Sequence, residues 1–173
     1  MTQENQDPIS FCNDALQTAT NKEEAFEYAK FIEKHFMVID VTNKNMSDEE
    51  LFELSNLRST VLAIVATIYV WNDQLELAQN IDSEFIYNKS LWEDEDNRVI
   101  DIYLIHLIIK KQISHLKTIF KNESFRKNYL HYEDVFMSVV DPKYEFKSNG
   151  GVFVNYVNRT NAYSRLFTGK NIL

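Results

Sequence analysis

The chain has 173 residues, a formal net charge of −8 and a 45% apolar share that includes 12 Phe, 9 Tyr and 2 Trp. Large apolar side chains in that quantity exclude intrinsic disorder, because burying them offsets the entropy lost on ordering. A single cysteine, Cys12, excludes an internal disulfide and a thiolate metal cluster.

The length suits one domain, residues 1–173, with a core that needs no covalent staple. The average charge hides an arrangement: residues 1–100 carry 7 Lys and Arg against 20 Asp and Glu, whereas residues 101–173 carry 11 against 6. Such polarity predicts an acidic face open to a basic partner, or else acidic and basic helices that neutralise one another inside the fold. No charged-then-apolar leader or lipidation signal is evident, so a cytoplasmic protein is expected.

Met1 to Gln6 is polar and is expected to fray. Asp7-Pro8 reads as a cap followed by proline at the first helical position, and Ile9, Phe11, Cys12, Ala15, Leu16 and Ala19 then form a short amphipathic helix. Thr20 with Glu23 restarts the pattern. A second helix runs through Ala25, Phe26, Ala29, Phe31, Ile32 and Phe36 and ends near Met37 to Asp40.

Ser47 with Glu50 has capping-box spacing, and Asp48, Glu49 and Glu50 put negative charge where a helix dipole favours it. The third helix that follows has a broad apolar face from Leu51 to Tyr69, with Ala63 and Ala66 small enough for close approach of a neighbour. The pattern resets at Asn72-Asp73, and a fourth helix carries Leu75, Leu77, Ala78, Ile81, Phe85 and Ile86.

Ser90 with Glu93, just after Trp92, announces a central helix over residues 93–121. Its core, Val99 to Ile109, is apolar except at Asp101 and His106. Beyond it Ile113, Leu116, Ile119 and Phe120 alternate with Lys110, Lys111, Lys117 and Lys121 at helical spacing. The apolar run is too short for a bilayer crossing, which takes about 20 residues.

A sixth helix is expected from Glu123 to Val140, stopped by Asp141-Pro142. The tail, residues 143–173, has two readings. Phe153, Tyr156, Val157, Tyr163, Leu166 and Phe167 fit a last helix, which the spacing favours; Gly150-Gly151 between short apolar segments fits a β-hairpin near 144–157. Between Pro8 and Pro142 there is neither glycine nor proline, which argues against tight hairpins and long sheets. The expected class is therefore all-α: a multi-helix bundle, or a short array of helical hairpins, with six to seven helices around the central one.

Motifs for chemistry are missing from the sequence. His35, His106, His115 and His131 form no His-x-x-x-His pair, and no Glu precedes a His by three positions, so no metal site, cofactor or catalytic residue is assigned. Glu93-Asp94-Glu95-Asp96 lacks the alternating spacing of a calcium loop. Lys110, Lys117, Lys121, Arg126 and Lys127 suggest a phosphate-facing surface, although the net negative charge opposes non-specific binding to nucleic acid.

The function this favours is a non-enzymatic protein-binding module, such as a cytosolic inhibitor of the immunity-protein type, that docks on a basic toxin or enzyme surface. Its expected contact residues are Glu49, Glu53, Glu76, Asp82, Glu84, Trp92, Glu93 and Asp94. The alternatives are a helical bundle enclosing a small apolar ligand beside His106, an enzyme without recognisable motifs, and a homo-oligomer.

Overall fold

The computed structural model describes residues 22–42, 45–93, 98–141, 143–145 and 154–162. The short helix expected before residue 20 and the acidic residues 94–96 lie outside that set. Every regular element among the described residues is an α-helix, so the fold class is all-α. The chain divides into two compact units, residues 1–103 and 104–173.

In the first unit α1 (Lys22–Phe36) and α2 (Asp48–Trp71) pack together, and α3 (Leu75–Ile81), α4 (Ser83–Ile86) and α5 (Ser90–Glu93) each pack on α2. The buried stripe of α1 is Ala25, Ala29, Ile32 and Phe36, three or four residues apart, as a helix with one wet face requires. Edge-to-face contact between Phe26 and Tyr69, centroids 5.6 Å apart, and a hydrogen bond from the Tyr69 hydroxyl to Glu33 join α1 to α2. At the end of α1 the Arg58 Nε donates to the Phe36 carbonyl over 3.1 Å, satisfying one of the acceptors a helix terminus leaves open.

α2 starts on the expected capping box. The Glu50 amide donates to Ser47 Oγ at 3.3 Å while the Ser47 amide donates back to Glu50 Oε2 at 2.7 Å. From Ser59 to Val70 almost every residue of α2 is buried, including Ala63 and Ala66. A polar seam crosses this wall: the Ser59 hydroxyl donates to the Glu84 carbonyl at 2.8 Å and accepts from Asn88 Nδ2 at 3.0 Å, which leaves no polar atom of that buried side chain unmet.

α6 (Val99–Ile109) is the apolar run, and Ile100, Tyr103, Leu104, Ile105, His106, Leu107 and Ile108 are all buried. It is not the single long helix expected over 93–121. It stops at Ile109, and α7 (Ile113–Ile119) begins after a break in which Lys111 takes a φ of 54°. The Gln112 amide donates to the Leu107 carbonyl and the Lys111 amide to the Ile108 carbonyl, both at 2.9 Å: the paired closure that ends a helix through one left-handed residue.

α2 ends the same way around Asp73, φ 62°, with Gln74 donating to Tyr69 and Asp73 to Val70. A chain without glycine between residues 8 and 142 thus fills both left-handed caps with side chains that disfavour them. Lys111→Gly should raise stability by about 1 kcal/mol, and Asp73→Gly by less, because aspartate tolerates this conformation better than lysine. The check is the urea midpoint at unchanged slope.

In the second unit α8 (Glu123–Asn128) is capped by Asn122, whose side chain accepts from the Phe125 amide at 2.9 Å, and it packs on α9 (Leu130–Val140). The expected helix 123–140 is therefore two helices with a step at Tyr129. Residues 154–162 form α10, in keeping with the helical reading of the tail, while the turn of the alternative hairpin, 148–151, lies outside the described residues. Tyr156 of α10 stands edge-on to Tyr132 of α9, centroids 4.7 Å apart, and Arg159 Nη1 donates to the Tyr132 hydroxyl at 3.1 Å.

Candidate functional site

The residues expected to contact a partner separate into two groups. Asp82 and Glu84 are half-buried and engaged inside the first unit. Glu84 pairs with Arg58 at 2.8 Å, and Asp82 accepts from the hydroxyl of the buried Tyr103, whose ionisation burial, followed by that carboxylate, pushes well above the ordinary phenol range. Trp92 is half-buried too, and its Nε1 donates to the Ile86 carbonyl at 2.9 Å, so the indole anchors α5 to α4. The side chain of Glu93 and all of Asp94 lie outside the described residues.

Glu49, Glu53 and Glu76 are exposed, and none has an ion-pair partner among the described residues. Glu76 stands at the start of α3, beside the carboxyl end of α2. Trp71, at that end, lies 18 positions from Glu53, which is about 27 Å along a helix axis. The structure therefore brings together only Glu49 and Glu53.

Between those two carboxylates in sequence stands a residue that the sequence reading passed over, Phe52, which is 57% exposed. Phe52 lies one turn along from Asp48 and Glu49, four and three residues before it, so the ring stands beside two exposed carboxylates, while Glu53 neighbours Glu49 on the side away from the ring. From Asp48 to Arg58 no residue of α2 is buried, and Leu51, Leu54 and Leu57 are only half-covered. The last turn of this segment is held in place: Asn56 Oδ1 accepts from Asn88 Nδ2 at 3.1 Å, and the Arg58 guanidinium lies 3.9 Å from the Met37 sulfur. Val38, one residue further along, is 78% exposed. The signal for Phe52 was available: it is an aromatic residue one step out of phase with the Leu51, Leu54, Leu57 stripe.

The neighbouring Glu50 does different work. Hydrogen bonds from the Ser47 amide and then its hydroxyl hold the carboxyl below its ordinary range, and the side chain is committed to the cap. Asp48, Glu49 and Glu53 are left as the outward charge of this half-helix. The positive end of the helix dipole offsets only about half of one elementary charge.

His106 is buried at 2% exposure within α6, which makes it a core residue by position. Among the described residues no three His, Asp or Glu side chains converge as metal ligands would. Compared with protein-family models, curated proteins and solved structures, the chain matches none.

Proposed function

We propose that the chain is a non-enzymatic protein-binding module that docks the acidic first half of α2 on a basic surface of another protein. Cytosolic inhibitors of the immunity-protein type work in this manner, and the cytoplasm is the compartment the reading implies. The observation that carries it is Phe52, an exposed ring one turn from the exposed carboxylates of Asp48 and Glu49, with Glu53 beside Glu49, on a helix whose first eleven residues include no buried one. Carboxylates of this kind accelerate encounter with a cationic partner, and a central aromatic anchor slows escape once water is excluded around it. Asp82 and Glu84 contribute by rigidity, because their bonds to Tyr103 and Arg58 fix the elements packed on α2.

The product of the adjacent gene is the first partner to test, since an inhibitor and its target are commonly encoded together. Isothermal titration should show binding that weakens with salt. Phe52→Ala should lower affinity by about thirtyfold, chiefly through faster dissociation, and Glu49→Gln with Glu53→Gln should slow association. A complex that forms equally well with Phe52→Ala and the double Gln variant would move the contact elsewhere. No binding at either low or moderate salt would remove the reading.

A further inference from the structure

The second unit holds a feature of opposite charge. Residues 104–173 carry 11 Lys and Arg against 5 Asp and Glu, a balance of +6. Within this unit α7, α8 and α9 line a cavity of about 320 Å³, near the lower end of the range for small-ligand sites. Its apolar wall is Phe120, Phe136 and Met137, of which Phe120 and Phe136 are 7% and 2% exposed.

Its cationic wall is Lys117, Lys121 and Arg126. Lys117 and Lys121 are four residues apart on one stretch of chain, both exposed, and neither has an ion-pair partner among the described residues. Arg126 is fixed by one edge only. Its Nε donates to Glu133 Oε2 at 2.7 Å, and Glu133 is mostly covered, with 13% of its side chain exposed. The two terminal guanidinium nitrogens make no hydrogen bond within the described residues.

Glu133 is thus neutralised by the arginine it orients, and among the described residues Glu123 is the one remaining negative group in the lining. Three cations against two carboxylates leave the cavity positive. Two lysines beside a guanidinium held by its far edge form a receptor for an acid group, and the guanidinium edge suits a planar or tetrahedral oxyanion. A track for a polyphosphate backbone would need cations in a row and no apolar wall. Phe120, Phe136 and Met137 instead ask for a ligand with an apolar body.

We propose that this cavity binds a small amphiphilic anion, an aryl or short alkyl carboxylate or phosphate monoester. Its acid group sits against Lys117, Lys121 and the outer edge of Arg126, and its apolar body lies on Phe120, Phe136 and Met137. The site is independent of the docking face on α2.

Isothermal titration of the full chain with phenyl phosphate, phenylacetate and inorganic phosphate tests it. At least one aryl anion should bind at submillimolar concentration, with inorganic phosphate about tenfold weaker or more; whichever aryl probe is tighter assigns the acid group. Lys117→Gln with Lys121→Gln should cost about tenfold or more, whereas Lys127→Gln, outside the lining, should change affinity by less than about twofold. Glu123→Gln should tighten binding about two- to threefold by removing the like charge, a gain that a purely structural role would not produce.

All four replaced residues are exposed, so an unchanged thermal midpoint will show that the variants fold. The proposal fails if neither aryl anion binds at millimolar concentration, if inorganic phosphate matches the aryl probes, or if Lys127→Gln costs as much as the double variant.

Discussion

Tyr103→Ala is expected to lower the unfolding free energy of the first unit by about 3–5 kcal/mol, the range for removing a large buried aromatic side chain. Tyr103 is fully buried, stands edge-on to Phe85 with centroids 5.1 Å apart, and donates to Asp82, so truncation opens a cavity and strands a carboxylate together. Tyr103→Phe separates the two effects. It keeps the ring and should cost about 1–3 kcal/mol, the penalty for leaving a half-buried acceptor without its donor. Tryptophan fluorescence during urea unfolding reports residues 1–103 specifically, because both tryptophans, Trp71 and Trp92, lie there. A loss below about 1 kcal/mol for the alanine variant would mean that Tyr103 is not packed as described.

The first unit should also unfold in alkali. Burial, reinforced by the carboxylates of Glu33 and Asp82, pushes Tyr69 and Tyr103 well above the ordinary phenol range. The unfolded chain releases these protons near pH 10, while the folded chain retains them. Folded-state ionisation is therefore raised, and the associated stability is fully present below about pH 10 and declines as pH climbs toward the folded values. Each tyrosine contributes a slope of up to about 1.4 kcal/mol per pH unit, so the pair should remove roughly 3–4 kcal/mol between about pH 10 and 11.5.

Tyr144 in the second unit shifts the same way, through burial and then its 2.9 Å bond to Asp134, but it is partly exposed and its share is smaller. Urea titrations at a series of pH values, with the Tyr69→Phe and Tyr103→Phe double variant alongside, check this. The wild-type slope should flatten in the variant. A wild-type stability that stays level above pH 10 would contradict the burial of these hydroxyls.

Much of the local architecture is written in short stretches of the chain. Ser47 and Glu50 specify the start of α2 because a capping box needs only residues three apart. The spacing of Ala25, Ala29, Ile32 and Phe36 specifies the buried stripe of α1, and the run from Ile102 to Ile109, apolar except at His106, specifies that α6 has little exposed face. The breaks at Lys111 and Tyr129 are a different matter. Ile109, Ile113 and Leu116 keep helical spacing straight through the first of them, so periodicity contains no trace of the stop. What ends α6 is one left-handed residue, and lysine gives no local signal of that conformation.

The candidate site divides along the same line. That the first hundred residues are acidic, and that Glu49 and Glu53 share a helical face, follows from composition and the 3.6-residue turn alone. Which carboxylates remain outward was settled by partners distant in sequence. Arg58 reaches Glu84 across 26 positions and Tyr103 reaches Asp82 across 21, while no cation among the described residues pairs with Glu49 or Glu53. The amino-acid order determined that the chain is helical, where the capping box starts α2, and the sign of the charge, because those depend on neighbours within a turn or two. The tertiary structure decided which charges are committed inside and which are exposed near Phe52, because that depends on which helices meet.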